Sequence, residues 1–355
     1  MMDQIHNMDC LKGMRKIENE SIDLIFADPP YYMQTEGQLI RVEGSIYLGV
    51  NDTWDQFNSY NEYDQFSFEW LKQCQRVLKR NGSIWVIGSF QNIYRIGYIM
   101  QQLGYWIIND VIWSKKNPTP NFMGTRFTNA NEILLWCTKS PKSKYTFNYK
   151  TMKHINGGKQ MKSVWEIGIC SGKERLRDDK GRKLHNTQKP IELLKRVILS
   201  SSRKNDVVLD PFMGTGTTAV VSKMYGRKYL GFEKEEKYVE LIYHRLRKTE
   251  ESIEKNLIEN VYDIKEKRVP MKRLIENKFI VPGEFLFDKN GENKSQLTQS
   301  GKVLIAHSEY SIHKGSAKIL GIVNNNGWDY WHVKRNDILK PINDYRKKVN
   351  ETKNS

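Results

Sequence analysis

The chain has 355 residues, of which 39% are hydrophobic and 11% aromatic, so it can bury a substantial core and is not disordered as a whole. Its 57 Lys plus Arg and 41 Asp plus Glu residues give a formal net charge of +16. The sequence has no apolar run long enough to span a membrane and no signal-peptide pattern, so we expect a folded protein of the cytoplasm. The 7 histidines and 4 separated cysteines show no ligand spacing, which predicts neither a metal site nor a disulfide framework.

The excess positive charge lies in two segments of the chain. Residues 141–190 hold 13 basic and 4 acidic side chains, residues 261–355 hold 18 and 11, and the remainder holds 26 of each. This segregation predicts two surfaces that meet a polyanion such as nucleic acid. The alternative is a lysine-rich, solvated surface without a partner.

Apolar runs and helical spacings alternate through the first two thirds of the chain. In chain order, we predict strands at 22–27, 83–88, 106–113, 132–137, 207–209 and 229–232. We predict helices at 68–79, 92–103, 191–201, 217–225 and 235–247. This alternation is typical of a mostly parallel α/β sheet. Two long polar segments, 33–60 and 139–187, interrupt it and are expected to be irregular.

A second unit is predicted after the charged stretch 248–272. It has short β-like segments at 279–281, 284–287, 302–306 and 330–333, separated by glycine-rich turns. We therefore divide the chain into a larger domain, 1–260, and an accessory domain, 261–355, whose basic side chains are expected to meet the same polyanion.

The tetrad Asp28-Pro29-Pro30-Tyr31 follows the predicted strand 22–27, at the strand end where ligands bind in open α/β sheets. An amine on an aromatic ring is a weak nucleophile because its lone pair is delocalised into the ring. The Asp28 carboxylate and the Pro29 carbonyl can accept the two amine hydrogens and so free that lone pair. Tyr31 offers a face on which a planar base can stack. The tetrad therefore suits an aromatic amine as substrate.

The strand at 207–209 runs into a second motif, D-P-F-M-G-T-G-T-T at 210–218. The motif lacks the third glycine of the dinucleotide fingerprint and the G-K-[ST] of a P-loop, so neither NAD nor ATP is favoured. Its glycines still let a ligand approach the backbone closely. Glu233, at the end of the next strand, is placed to bind ribose hydroxyls, or is otherwise a solvated carboxylate.

The two motifs, in this order, resemble the motif pair of the beta-class S-adenosylmethionine-dependent DNA amino-methyltransferases. Four further stretches are similar to the GANTC-specific group, the HinfI-type modification methylases and the cell-cycle-regulated bacterial methyltransferases. They are N-G-S-I-W-V-I-G-S-F at 81–90, N-P-T-P-N-F-M-G-T-R-F at 117–127, H-N-T-Q-K-P at 185–190 and N-N-N-G-W-D-Y-W at 324–331. The resemblance covers nearly the whole chain.

The resemblance implies a Rossmann-like methyltransferase fold, with a mixed, mostly parallel sheet, helices on both faces, and a small β-rich C-terminal domain. It implies base flipping and methyl transfer from S-adenosylmethionine to adenine N6 in 5'-GANTC-3' of double-stranded DNA. It also implies a homodimer, a cognate restriction endonuclease that acts on the same site, and a cytoplasmic, nucleoid-associated protein of a prokaryote.

Matched to the family pattern, Asp28, Pro29, Pro30 and Tyr31 are the catalytic residues. The predicted cofactor-binding residues are Asp9, Cys10, Asp28, Thr187, Gln188, Lys189, Asp210, Pro211, Phe212, Gly214, Gly216, Thr217 and Glu233. Of these, residues 187–189 would lie near the methionine carboxylate of the cofactor. Asp9 would accept from the cofactor adenine, or would instead cap a helix at 11–16.

The predicted DNA-binding residues are Arg126, Asn129, Asn131, Arg175, Arg177, Asn326 and Trp328. Relatives often have histidine where this chain has Asn131, so that position departs from the pattern. Segment 139–187 is predicted to recognise the target, with an arginine contacting guanine, and the alternative for any single arginine is a phosphate contact. Trp328 and Trp331 either stack on bases or belong to a buried core.

Two other functions stay open at this point. Cytosine-N4 methylation uses the same amine chemistry, and a catalytically silent, sequence-specific DNA-binding module would share the basic segments. Methylation of RNA or of protein glutamine is less favoured, because a small substrate has no use for two basic segments.

Overall fold

The computed structural model describes residues 3–33, 39–40, 46–47, 55–121, 124–185, 187–264 and 269–351. The chain forms two compact units, residues 1–264 and 265–355. Each unit has its own hydrophobic core.

The first unit is built on a central β-sheet. Its strands are β1 (Gln4–Asn7), β2 (Ile22–Ala27), β3 (Leu39–Ile40), β4 (Ile46–Tyr47), β5 (Leu78–Gly88), β6 (Trp106–Lys115), β7 (Asn131–Thr138), β8 (Val164–Ile167), β9 (Val207–Asp210) and β10 (Lys228–Glu233). Eight of them form one sheet in the order β1-β10-β9-β2-β5-β7-β6-β8, and β3 and β4 form a separate two-stranded sheet. The predicted strands of this unit are thus present, with bounds that differ by a few residues.

The central sheet is mostly parallel, with β7 as the exception. β2 pairs in parallel with β5 and β9, whereas β7 runs antiparallel to both β5 and β6. The first residues of β7 therefore lie at the same edge of the sheet as the last residues of β2, β5, β6, β9 and β10. This edge brings side chains together from six strands.

Helices cover both faces of the central sheet. They are α1 (Cys10–Met14), α2 (Tyr60–Val77), α3 (Ile93–Gln102), α4 (Tyr149–Ile155), α5 (Ile191–Ser201), α6 (Thr217–Met224), α7 (Glu236–Lys248) and α8 (Lys255–Ile258). Along β2, Ile25 packs with α1, α2 and α3, whereas Leu24 and Phe26 pack with α5 on the other face. Successive side chains of a strand point to opposite faces, which explains why β2 is apolar from Leu24 to Ala27. The expected Rossmann-like α/β fold is confirmed.

Two elements differ from the predicted ones. α2 begins at Tyr60, eight residues before the predicted start, because Ser59 caps it and accepts a hydrogen bond from the Glu62 backbone N–H at 3.2 Å. Segment 139–187 is not wholly irregular, since it contains α4 and β8, and β8 joins the central sheet beside β6. Much of the other expected irregular segment, 33–60, lies outside the described residues.

The second unit is an antiparallel sheet with helices. Its strands are β11 (Phe285–Phe287), β12 (Lys294–Leu297), β13 (Val303–Ile305), β14 (Ser308–Tyr310), β15 (His332–Arg335) and β16 (Ile338–Pro341), in the order β14-β13-β12-β11-β15-β16. Its helices are α9 (Met271–Glu276), α10 (Ile312–Leu320), α11 (Gly327–Tyr330) and α12 (Ile342–Glu351). Trp331 is fully buried in its core, where the indole N–H donates to the Ile312 carbonyl at 2.9 Å. Trp331 therefore belongs to the core and is not placed to stack on a base.

Two predictions for this unit were wrong. Residues 279–281 form a loop that leads into the turn at Pro282 and Gly283, where Pro282 lacks a backbone N–H and Gly283 has φ +90°, and not the predicted strand. The strand predicted at 330–333 begins only at His332. The preceding residues form α11, whose N-cap Asn326 accepts from the Trp328 backbone N–H at 3.3 Å. Within the described part of the chain, no helix has the length and apolar character needed to cross a membrane.

Candidate active site

A cavity of about 360 Å³ opens at the edge of the central sheet where the parallel strands end. All of the predicted cofactor-binding residues except Gly216 line it. The cavity also has apolar walls, formed by Phe26, Phe57, Phe66 and Phe232 among others. The structure thus brings together residues from both sequence motifs, which lie 182 positions apart along the chain.

The glycine turn after β9 is held by Glu233 at the end of β10. The two oxygens of the Glu233 carboxylate accept from the backbone N–H groups of Gly214, at 2.8 Å, and of Glu235, at 2.9 Å. Gly216 has φ +78°, and a Cβ at this position would lie 2.7 Å from side-chain atoms of Ile242 on α7. Gly216 therefore allows the turn to pack against α7, and it does not form the cavity wall.

Another glycine close to this turn lies on β10. The Cε atom of the buried Met213 lies 2.0 Å from the position that a Cβ on Gly231 would take. Met213 thus fills the space between the turn and the strand beside it.

Asp210, the last residue of β9, is buried below the turn. Its carboxylate accepts from the Phe212 backbone N–H at 2.9 Å and from the Thr218 hydroxyl at 2.6 Å. Burial raises the pKa of Asp210 to about 7 despite these two hydrogen bonds, and the negative charges of Asp28 and Glu233 add to the rise. Asp210 therefore titrates close to neutral pH in a cavity without ligand.

The backbone after β2 is fixed by one buried carboxylate. Asp55 is 5% exposed, and its Oδ1 accepts from the backbone N–H groups of Tyr31, at 2.6 Å, and of Tyr32, at 2.7 Å. Its Oδ2 accepts from the Met33 N–H at 2.8 Å. The Pro30 carbonyl accepts from the Tyr63 hydroxyl at 2.9 Å. These contacts hold the tetrad in one conformation, together with the residue that follows it, Tyr32, which has φ +53°.

Asp28 belongs to a compact network of charged groups. Its Oδ2 pairs with Lys189 Nζ at 2.7 Å, and its Oδ1 lies 3.0 Å from the Tyr31 hydroxyl. The same hydroxyl lies 3.0 Å from Glu132 Oε2. Lys115 Nζ pairs with Glu132 Oε1 at 2.8 Å. The network therefore balances two carboxylates against two ammonium groups around one phenol.

The two carboxyl groups of the network differ in their affinity for a proton. Burial raises the pKa of Asp28, and the negative charge of Glu132 raises it further. The attraction of Lys189 lowers that pKa but does not cancel the effect of burial. Burial would also raise the pKa of Glu132, but Lys189 and Lys115 together outweigh it and lower that pKa. The pKa of the Tyr31 hydroxyl is well above its ordinary value, through burial and then through both carboxylates. Asp28 is thus the better proton acceptor, Glu132 stays ionised, and Tyr31 stays a neutral donor.

The sequence did not single out Glu132, Lys115 or Asp55 as site residues. Lys115 ends β6 and Glu132 is the second residue of β7, so a charged residue at a strand end was the available signal. Lys189 was expected near a cofactor carboxylate, whereas in the structure its partner is Asp28.

Two other predicted cofactor residues have structural contacts in addition to lining the cavity. Asp9 caps α1, where its Oδ1 accepts from the backbone N–H groups of Leu11, at 3.0 Å, and Lys12, at 3.2 Å. This is the alternative that the sequence left open. Gln188 donates to the Glu174 carbonyl at 2.9 Å and accepts from the Leu176 N–H at 3.0 Å, and so orders the segment before Arg177.

The predicted DNA-binding residues lie in three places. Arg126 and Asn129 are in the loop between β6 and β7, and Asn131 is the first residue of β7, next to Glu132. The guanidinium of the exposed Arg126 lies over the ring of Phe90, 5.7 Å from its centroid. The neighbouring Phe127 is 99% exposed. This loop therefore presents a cation and an aromatic ring to solvent close to the network.

The second place is the turn that follows residues 172–174. Arg177 is exposed and donates to the Gly181 carbonyl at 2.6 Å, whereas Arg175 is partly buried. The third place is the second unit, where Asn326 caps α11 and the guanidinium of Arg346 lies 4.2 Å from the ring centroid of Trp328. Among the residues that the structure describes, no three His, Cys, Asp or Glu side chains come together as a metal site requires.

Comparisons with known proteins agree with this geometry. Residues 22–244 match a family model described as DNA methylase. The chain is 58% identical over 339 residues to the Type II methyltransferase M.HinfI of Haemophilus influenzae, covering 95% of this chain and 94% of that protein. It is 42% identical over 241 residues to the Type II methyltransferase M2.LlaDCHI of Lactococcus lactis subsp. cremoris, covering 68% of this chain and 87% of the relative.

Two solved structures share the fold of the first unit. The complex of M1.HpyAVI with SAM superposes with a TM-score of 0.51 at 24% identity, covering 68% of this chain and 98% of the other. The cytosine-N4-specific PvuII DNA methyltransferase superposes with a TM-score of 0.55 at 18% identity, covering 74% and 92%. At these identities the structures support the fold and do not identify the base that is methylated.

Proposed function

Because the chain belongs to the DNA methylase family and is a DNA methyltransferase, we propose that it methylates adenine N6 in 5'-GANTC-3' of double-stranded DNA. The observation that supports this proposal most directly is the Asp28 network, whose Asp28 and Lys189 line the cavity, because it holds a proton-accepting carboxylate where an aromatic amine would react. The proposed target rests on the four stretches that resemble the GANTC-specific group and on the similarity to M.HinfI over nearly the whole chain.

S-adenosylmethionine is the methyl donor, and the cavity has the chemistry to hold it. The lining includes the carboxylates of Asp9, Asp210 and Glu233, which suit a cationic ligand with an amino group and ribose hydroxyls, and it includes apolar walls for an adenine ring. The glycine turn leaves room for a ligand to approach the backbone. When bound, the cofactor supplies an electrophilic methyl group, which the lone pair of the amine nitrogen takes while the sulfur keeps the bonding electrons.

Asp28 and the Pro29 carbonyl accept the hydrogens of the target amine, which localises the lone pair on nitrogen. After methylation the nitrogen must lose one proton, and Asp28 is the group of the network that is best suited to accept it. Tyr31 and its buried neighbours exclude water from this place. An amine within a duplex cannot reach the site, so the target base must leave the helix.

DNA binding is assigned to the basic segments. Residues 141–190 and 261–355 hold the excess positive charge, and phosphate contacts from them would position the duplex. Arg175, Arg177, Arg126, Asn129 and Asn131 are proposed to contact DNA near the cavity. Asn326 and Trp328 are proposed to contact DNA from the second unit, whose role is that of an accessory DNA-binding domain.

The test is labelled methyl transfer from S-adenosylmethionine to two duplexes that differ only in whether GANTC is intact or scrambled, followed by nucleoside analysis. We expect N6-methyladenine in the intact duplex alone. N4-methylcytosine would replace the proposal with the cytosine alternative, and label in both duplexes would refute the target sequence. No label, together with normal binding of cofactor and DNA, would favour the silent binding module.

A matched pair of variants assigns the chemistry to Asp28. Asp28→Ala is expected to abolish turnover while DNA binding is retained. Asp23→Asn removes a carboxylate from the other end of β2, where Asp23 pairs with Lys79 at 2.7 Å, and should leave turnover intact. Normal turnover in Asp28→Ala would contradict the assignment.

The wider setting of the enzyme is also proposed. M.HinfI and M2.LlaDCHI are Type II methyltransferases, so a cognate restriction endonuclease that cuts the same site would accompany this chain. A homodimer, and a place beside the nucleoid in the cytoplasm of a prokaryote, follow from the same resemblance. Gel filtration of the purified protein at micromolar concentration tests the dimer.

A further inference from the structure

The carboxylate of Asp28 has partners on both oxygens before any substrate is bound. Lys189 Nζ lies 2.7 Å from Oδ2, and the Tyr31 hydroxyl lies 3.0 Å from Oδ1. The side chains of Lys189 and Asp28 are 8% and 18% exposed, so water cannot readily replace these contacts. A target amine that donates to Asp28 must therefore share or displace donors that are already in place.

Glu132 is the group to which both donors can turn. Its Oε2 lies 3.0 Å from the Tyr31 hydroxyl, so a rotation of that hydroxyl transfers the hydrogen bond from Asp28 to Glu132. The same Oε2 lies 3.8 Å from Lys189 Nζ. A buried donor without an acceptor is costly, and Glu132 removes that cost when the amine arrives.

The antiparallel direction of β7 puts Glu132 in this position. In the β6–β7 pair Glu132 lies opposite Trp113, two residues before Lys115, and Lys115 Nζ pairs with Glu132 Oε1 at 2.8 Å. Both side chains of this ion pair are 12% exposed. Lys115 thus fixes one oxygen of Glu132 and leaves the other facing Tyr31 and Lys189.

We propose that Glu132 is a positioning residue for methyl transfer. When the target amine donates to Asp28, Glu132 accepts the hydrogen bonds of Tyr31 and Lys189 in its place. Asp28 is then able to accept the amine proton. This inference rests on the proposed function of the site. The proton balance is simple: the methylated nitrogen releases one proton, its N–H bonding pair returns to nitrogen, and Asp28 becomes a neutral carboxylic acid. Glu132 remains charged and keeps the positive charge of Lys189 compensated.

The charged groups around Asp28 give the inference a signature in the pH dependence of the rate. Asp28 is faced by Tyr31 from its own loop, by Lys189 from the segment before α5, and by Glu132 from β7, with Asp210 on the neighbouring β9. Asp28 must be ionised to accept hydrogen bonds and the proton, so the rate falls below the pKa of Asp28. The negative charge of Glu132 raises that pKa, and its removal moves the acidic limb of the profile to lower pH.

The test is the single-turnover methyl-transfer rate of the full chain between pH 5.5 and 9, with saturating duplex and S-adenosylmethionine. For Glu132→Gln we expect a plateau rate about tenfold to a hundredfold lower, an acidic limb about one pH unit lower, and unchanged duplex affinity. Glu132→Asp keeps the charge and should keep the limb at its wild-type position. Asp23→Asn is the control for loss of an ion pair outside the site, and its profile should match that of wild type.

Lys115→Met provides an independent arm that does not alter Glu132. It leaves the charge of Glu132 less compensated, so the pKa of Asp28 should rise and the acidic limb should move to higher pH. Opposite shifts in Glu132→Gln and Lys115→Met are the expected result. An unchanged limb in Lys115→Met, or in a folded Glu132→Gln, would overturn the inference. The proposed function is tested separately, because the profile is measured on whichever base the wild-type chain methylates.

Discussion

Asp210 gives a prediction whose size follows from the structure. Its carboxyl group is buried, and its pKa is raised from 3.8 to about 7, which corresponds to about 4 kcal/mol at about 1.4 kcal/mol per pH unit. A carboxyl group with a raised pKa in the folded protein stabilises the fold at low pH. That contribution is fully present below pH 3.8 and is lost as the pH rises to about 7.

Asp210→Asn isolates this contribution because it removes the titration and keeps the shape. An amide oxygen can still accept from the Phe212 N–H, and the Thr218 hydroxyl can rotate to accept from the amide. Wild type loses this stability as the pH rises and the variant does not, so the variant should gain about 1.4 kcal/mol relative to wild type for each unit by which the pH rises toward 7, or about 2 kcal/mol from pH 5.5 to pH 7.

Urea unfolding of both proteins without cofactor, at matched pH values between 5.5 and 8.5, measures this difference. Subtracting the two free energies of unfolding at each pH cancels the other titrating groups, which the proteins share. A difference that stays constant with pH would refute the reasoning. It would mean that the two hydrogen bonds outweigh burial and that Asp210 is ionised throughout.

The remaining predictions concern the tetrad, the core and DNA binding. Asp55→Ala should lower kcat about 100-fold and leave duplex affinity unchanged, because three backbone N–H groups lose their acceptor and the tetrad shifts. An unchanged kcat would refute this prediction. Arg227→Met should destabilise the first unit by about 3–5 kcal/mol in urea unfolding, because the buried guanidinium donates to Ser202, Ile258 and Asn260. It should also speed hydrogen exchange at 255–260. A loss of stability below about 1 kcal/mol would contradict this prediction. The logarithm of DNA affinity should fall steeply with the logarithm of salt concentration, with a slope beyond about −4 in fluorescence anisotropy, whereas a flat dependence would remove the role of the basic segments.

Elements with a strong apolar pattern were predictable within a residue or two. The bounds of β2 (Ile22–Ala27) and α5 (Ile191–Ser201) match the predicted ones, because β2 is apolar on both faces and α5 repeats apolar side chains at helical spacing. The start of α2 was missed although Ser59 and Glu62 form a capping pattern, since apolar spacing alone placed it at Phe68. Segment 279–281 has strand-forming residues, but the turn at Pro282 and Gly283 decided its conformation.

The site was predictable where it follows the rule for parallel strands. Asp28, Asp210 and Glu233 come at or just after strand ends, and all three line the cavity. Glu132 was not predicted, because β7 is antiparallel to its neighbours. The first residues of β7 therefore lie at the edge of the sheet where the rule for parallel strands considers only the last residues of each strand. Asp55 acts through hydrogen bonds to backbone N–H groups of other residues, and such contacts leave no pattern in the sequence.

The packing of Met213 against β10 has a consequence for how this sequence can vary over time. An alanine Cβ at position 231 would lie 2.0 Å from Met213 Cε, so it requires the flexible Met213 side chain to move or a shorter residue to replace it. The order of the two mutations therefore affects their cost, because a shorter residue at 213 makes room for a later change at 231. Random mutagenesis of this gene should recover changes at 231 more often together with changes at 213 than alone, although 17 other residues separate the two positions in the chain.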